Sequence, residues 1–142
     1  MADHAYVQTI KKYYQGCNTG DIKLMKSTFT DDVVHYFTHH EPISGADALA
    51  AYWQKMQPRI NAKWYCDHAI VEDNECVIEW TMAWDAPSGN RERMRGAEWY
   101  EFVGGRISEI RAYYVNRHLP YKREHFELDG FPYESRNYVM NG

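Results

Sequence analysis

The chain has 142 residues and a mass of 16.8 kDa, with 44% hydrophobic and 15% aromatic residues and a formal charge of −4. That length suits one domain (1–142), and the apolar content supports a core without a disulfide or metal staple. The acidic balance and the lack of a basic stripe oppose binding to nucleic acid. Cys17, Cys66 and Cys76 cannot all pair and form no Cys-x-x-Cys, which fits a reducing cytoplasm. Met1 to Thr9 is polar, and no run approaches the roughly 20 apolar residues of a membrane span. A soluble, cytoplasmic protein is expected.

Tyr6, Ile10, Tyr13, Tyr14 and Cys17 recur at three- and four-residue spacing and predict an amphipathic helix, ended by Asn18-Thr19-Gly20. Asp21 can cap a second, short helix with Ile22, Met25 and Phe29 inward, after which Thr30-Asp31-Asp32 turns the chain. Val33 to Thr38 is β-branched and aromatic and predicts a strand, followed by a polar loop through Gly45. Ala48, Leu49, Tyr52, Trp53 and Met56 predict a third helix, which Pro58 closes.

The period then changes to two. Lys63–Glu72, Cys76–Trp84, Arg91–Val103 and Arg106–Val115 read as strands joined by turns short enough for an antiparallel meander. Helices first and strands afterwards predict an α+β fold whose curved antiparallel sheet wraps the N-terminal helices as a cone. Residues 118–142 form an aromatic C-terminal extension with no clean period, expected to lie across the domain or a partner subunit.

Asn18-Thr19-Gly20-Asp21, Phe29-Thr30-Asp31-Asp32, Glu41-Pro42-Ile43-Ser44-Gly45 and the stretch Gly105 to Tyr114 resemble the nuclear transport factor 2-like superfamily. They are most similar to its ketosteroid isomerase and polyketide cyclase (SnoaL-like) group. The resemblance spans about residues 6 to 116. It implies a cone-shaped roll with one deep pocket, but members include isomerases, dehydratases, cyclases, epoxide hydrolases and non-catalytic binders.

Ketosteroid isomerase, a worked example of acid-base tuning, builds its oxyanion hole from a first-helix tyrosine and a protonated acid on a later strand. The resemblance carries those roles to Tyr13 and Glu98, with Tyr14 the alternative inward tyrosine. The isomerase's general base, an aspartate, falls on Phe37, which cannot move a proton. His35 shares the face of Phe37 by strand parity, and a histidine side chain suits a general base, so it is the expected base, with His39 on the same face if the strand continues. His68, on the second long strand, is a further catalytic candidate by resemblance to scytalone dehydratase.

Phe37, His39, Trp53 and Tyr114 are expected to line the pocket. So are Trp80, Met82 and Trp84, which alternate along one strand, and Tyr100. No metal-ligand spacing is present, and no cofactor is expected. The expected function is cofactor-independent proton transfer on an apolar carbonyl-containing molecule, of isomerase, dehydratase or cyclase type. A non-catalytic ligand-binding or dimerisation module is the second reading, and an epoxide-hydrolase-like enzyme the third. A homodimer is expected through the outer sheet face at Trp99, Glu101, Glu109, Arg111 and Tyr113, extended by Phe126, Phe131 and Tyr133 of the tail.

Overall fold

A computed structural model describes residues 2–120 and 127–142, and Phe126, expected at the dimer face, lies outside them. Helix α1 (Ala5–Thr19) and the short α2 (Ile22–Ser27) open the chain. They are followed by β1 (Phe29–Tyr36), a two-residue β2 (Ile43–Ser44) and α3 (Ala46–Ile60). The long strands are β3 (Lys63–Glu72), β4 (Glu75–Asp85), β5 (Arg91–Val103) and β6 (Arg106–Tyr113). They make one curved, open sheet in the order β2-β1-β6-β5-β4-β3.

The meander β3 to β6 is antiparallel because its turns are tight. Gly104 and Gly105, at φ of 57° and 77°, supply the left-handed backbone of a two-residue hairpin. Strand β1 pairs parallel to β6, which makes the sheet mixed at that junction. The helices lie on the concave face. Ile10, Met25, Leu49, Ile107 and Ile110 are fully buried between the layers, each contributing about 1.5–3 kcal/mol.

Three local departures from the sequence reading have physical causes. Phe29 and Thr30-Asp31-Asp32 belong to β1 instead of ending a helix and turning, because β6 offers partners: Phe29 pairs with Ile107, and the Ile107 amide donates to the Thr28 carbonyl at 2.8 Å. Ile43–Ser44 adds an edge pairing to β1 inside the expected loop. Pro58 sits within the last turn of α3 instead of ending it. The turn closes through left-handed Asn61, with the Ala62 amide on the Gln57 carbonyl at 3.1 Å.

The tail folds back over the outer face of its own sheet. Leu128 and Phe131 cover Tyr36, with the Phe131 and Tyr36 rings edge to face at 5.1 Å. The Asp129 amide donates to the Phe37 carbonyl at 2.9 Å. Arg136 lies over the Phe131 ring at 4.5 Å and donates to Glu109 at 2.6 Å. Arg111 donates to both Glu109 and Glu101 at 2.6 Å. Glu109 and Arg111, expected on an open dimer face, are therefore buried within the chain, while Trp99 stays exposed.

Burial works to raise the Glu109 carboxyl, but the Arg136 and Arg111 guanidiniums outweigh it and hold the pKa lowered to about 2. A carboxyl depressed in the folded chain stabilises it above the unfolded value of about 4.3, and loses that contribution as pH falls through the folded value. Arg136→Gln should lower stability near neutral pH by about 1.5–3 kcal/mol in urea denaturation. The gap from wild type should narrow as pH falls from about 5 toward 2. A gap independent of pH would assign the loss to Phe131 packing instead of the ion pairs.

Candidate functional site

The concave face and the helices enclose a cavity of about 220 Å³. Periodicity explains its walls. Helix α1 gives Tyr13, Tyr14 and Cys17; α3 gives Trp53, Met56 and Ile60, three and four residues apart; β4 gives Trp80, Met82 and Trp84, two apart. Strand β1 and its continuation give His35, Phe37 and His39, and β5 gives Met94 and Glu98. Tyr114, Asn116 and Leu119 follow β6 at the outer, half-buried end.

Glu98 lies at the deep end and is 6% exposed. Its Oε1 accepts hydrogen bonds from the Tyr14 hydroxyl and, at 2.7 Å, from the Tyr100 hydroxyl. Burial first, and the Glu98 charge second, push both phenols well above their usual range, so they stay protonated donors. Glu98 is thus an acceptor at Oε1, which leaves Oε2 as the oxygen for the donor role expected from the sequence. Its Oε2 faces His35 Nε2 at 3.6 Å.

His35 is 1% exposed and held on three sides. Its Nδ1 lies 3.1 Å from the Tyr36 carbonyl, which can only accept, so Nδ1 carries the hydrogen and Nε2 is the nitrogen available to take a proton. The ring stacks on Phe37 at 4.0 Å and meets Trp53 edge to face at 5.6 Å. Phe37 stacks in turn near His40 at 3.8 Å, forming a column along one wall. Toward the outer end, the Tyr114 hydroxyl and His39 Nδ1 share a hydrogen bond of 2.7 Å.

Other expectations fall differently. Tyr13 lines the cavity, but Tyr14, its neighbour one step round α1, holds Glu98. The Tyr13 hydroxyl lies beside Trp53 and Cys17 without reaching hydrogen-bond geometry to the Trp53 indole. Tyr100 is fully buried behind Glu98 and supports it from outside the cavity wall. His68 is exposed, in a surface groove with Asp3, His4 and Lys11. A bulge between Cys66 and His68 is the cause: Cys66 pairs opposite inward Trp80, whereas His68 pairs opposite exposed Glu79, so the inserted residue reverses the facing.

Phe37, His39, Trp53, Trp80, Met82, Trp84 and Tyr114 all line the cavity. The sequence reading missed Tyr52, Met56, Ile60, Met94 and Asn116. Helical spacing from Trp53 and strand parity from Glu98 pointed to Met56, Ile60 and Met94; nothing local pointed to Asn116. Burial pushes the Cys17 thiol well up, so it remains an apolar wall element. Among the described residues, no group of three His, Cys, Asp or Glu side chains could hold a metal ion, and no helix is long and apolar enough to cross a membrane.

Comparison with known proteins places this geometry. A crystal structure of a protein of unknown function with cystatin-like fold, from Methylobium petroleophilum PM1, matches at 30% identity and a TM-score of 0.85, covering 100% of this chain and 95% of that one. A Mycobacterium tuberculosis protein in complex with estradiol-17beta-hemisuccinate matches at 15% identity and a TM-score of 0.68, covering 80% and 95%. TerC, co-crystallised with polyporic acid, matches at 12% identity and a TM-score of 0.69, covering 79% and 92%. These two share the fold and bind small molecules. No curated protein matches the chain. Residues 10–110, more than half the chain and including every element from most of α1 to β6, match the SnoaL-like domain. The chain therefore belongs to the SnoaL-like domain family of the nuclear transport factor 2-like superfamily.

Proposed function

We propose that this protein is a cofactor-independent enzyme that moves a proton on a small, apolar, carbonyl-containing molecule, giving isomerisation, elimination or ring closure. The observation that carries the reading is the Glu98–His35 pair, 3.6 Å apart at the deep end of an aromatic cavity. The cavity's 220 Å³ lies between the roughly 150 Å³ that hold a benzene and the roughly 300 Å³ at which drug-sized sites begin. The substrate would then have one or two rings.

His35 Nε2 takes a proton from the carbon next to the carbonyl: the C–H bond breaks, an N–H bond forms, and the electron pair moves to the carbonyl oxygen. The Glu98 carboxylate, anchored by the two phenols, offsets the imidazolium charge that results. A proton then returns from His35 to another carbon, or the enolate pair forms a C=C bond as a leaving group departs with its bonding pair and takes the proton from His35. Imidazole and carboxylate carry the proton and its counter-charge in these steps. Phe37, at the isomerase's aspartate position, contributes stacking to His35 in place of proton transfer.

A non-catalytic binding module is the second reading, and the observation in its favour is the same Phe37. Among the described residues the cavity wall carries one carboxylate, Glu98, where the epoxide-hydrolase reading calls for two. A cytoplasmic location and a homodimer belong to the proposal. The dimer surface would be the outer-face row of Ile70, Val77 and Trp99, cross-strand neighbours of which Ile70 and Trp99 are exposed.

Solvent deuterium exchange at the carbon next to the carbonyl of a bicyclic ketone tests the chemistry. His35→Gln should slow it about a hundredfold or more, and Glu98→Gln should slow it more than Tyr13→Phe does. His68→Ala should leave it unchanged. Exchange that survives His35→Gln in a folded protein would remove the mechanism. Tyr14→Phe should also cost about 1–3 kcal/mol in urea denaturation, because it takes a donor from a buried carboxylate. For the dimer, light scattering at micromolar concentration should report twice 16.8 kDa, and Trp99→Glu should shift it toward monomer; a monomer at every concentration refutes that surface.

A further inference from the structure

Among the described residues, the buried side-chain polar atoms without a hydrogen-bond partner are His35 Nε2, Trp53 Nε1 and Trp80 Nε1. All three belong to the wall of one cavity. A buried donor left unpaired is costly, and such groups are rare enough in folded proteins to call for an explanation. His35 Nε2 faces Glu98, and the Trp53 indole lies beside the Tyr13 hydroxyl. Trp80 has neither, and an indole nitrogen can only donate. The Tyr114 ring, edge to face with Trp80 at 5.6 Å, offers a weak π acceptor at best.

The position of the Trp80 indole is built into the sheet. Trp80 on β4 pairs opposite Gly96 on β5, and its six-membered ring lies directly on that glycine: a Cβ there would come within 2.6 Å of the indole. Any side chain at 96 would displace the ring, so glycine is the residue that lets Trp80 lie flat across the strand. Gly96 and Glu98 are two residues apart on the same inward face, about 7 Å along β5. Trp80, over Gly96, and His35, facing Glu98, therefore lie on the wall of the same cavity, next to neighbouring inward positions of one strand.

We infer that Trp80 Nε1–H is the donor to the carbonyl oxygen of the bound molecule, the role that resemblance had assigned to Tyr13. The inference rests on the proton-transfer reading for what happens next to that carbonyl, and it narrows the ligand to planar one- or two-ring ketones whose oxygen reaches Gly96 while the adjacent carbon reaches His35. A hydrogen bond from a fixed indole to the oxygen would stabilise charge that develops there when the proton leaves.

The test uses 1-tetralone and tetralin, which share a bicyclic frame and differ by the carbonyl. Wild type should bind 1-tetralone about tenfold more tightly, and the Trp80 indole cross-peak in a 1H–15N spectrum should move with 1-tetralone and stay in place with tetralin. Trp80→Phe should bind tetralin as before and lose the preference. A preference retained in Trp80→Phe, a Trp80 cross-peak unmoved by 1-tetralone, or binding of neither compound overturns the inference. If Trp80→Phe does not fold, the wild-type cross-peak decides alone. Deuterium exchange at the tetralone carbon beside the carbonyl separates the two readings: a Trp80-dependent preference without His35-dependent exchange keeps the donor and removes the proton chemistry, and the reverse pattern removes the donor alone.

Discussion

A carboxylate at the closed end of an aromatic cone is the constraint around which this protein is arranged. Removing Glu98 from water is expensive unless its oxygens are satisfied, and each partner comes from a different element: Tyr14 from α1, Tyr100 from β5 and His35 from β1. The helix must cross the sheet where residue 14 meets residue 98, and β1 must pair with β6 in the register that turns His35 inward. Fold and site are therefore specified together. The apolar walls strengthen every polar interaction at the deep end by keeping the local dielectric low.

Sequence periodicity located most of these parts because strands and helices repeat their facing at fixed intervals. Along β5 the resemblance assigned Glu98 to the site, and the burial pattern alternates accordingly, with Met94, Glu98 and Tyr100 buried and Arg91, Arg93 and Arg95 exposed. Parity along β1 brought His35, Phe37 and His39 to one wall. Periodicity cannot count an inserted residue, however. The bulge after Cys66 sends His68 outward, and nothing in Cys66-Asp67-His68 marks it. Nor can helical spacing choose between adjacent inward positions: Tyr13 and Tyr14 both satisfy it, and only the docking angle of α1 on β5 gives Glu98 to Tyr14.

The outer face shows the complementary limit. Large and charged side chains on an exposed-looking strand face predict a covering partner, and that inference is sound in kind: Arg111 and Glu109 are buried. What covers them is the chain's own residues 128–138, ordered by Phe131 between Tyr36 and Arg136. An aperiodic aromatic segment carries no signal of where it docks, because its contacts are with residues distant in sequence. Covering β1 on its outer face, with the Asp129 amide on the Phe37 carbonyl, also fixes the strand that carries His35, so the tail steadies the site from behind.

Phe37 connects these observations. Where relatives that abstract protons place an acid, an aromatic ring lies between His35 and His40, so the wall that could hold a base holds a stack instead. On the proposed chemistry the basic group is His35, one pleat deeper than Phe37, beside Glu98 and away from the half-buried mouth. A base there needs a counter-charge within the same closed space, and Glu98 with its two phenols supplies it. That arrangement commits Tyr14 and Tyr100 to Glu98, so on the proposed chemistry the donor to the substrate's oxygen comes from another wall. The indole of Trp80, held flat by Gly96 and lacking a partner, is the group on these walls that fits such a need.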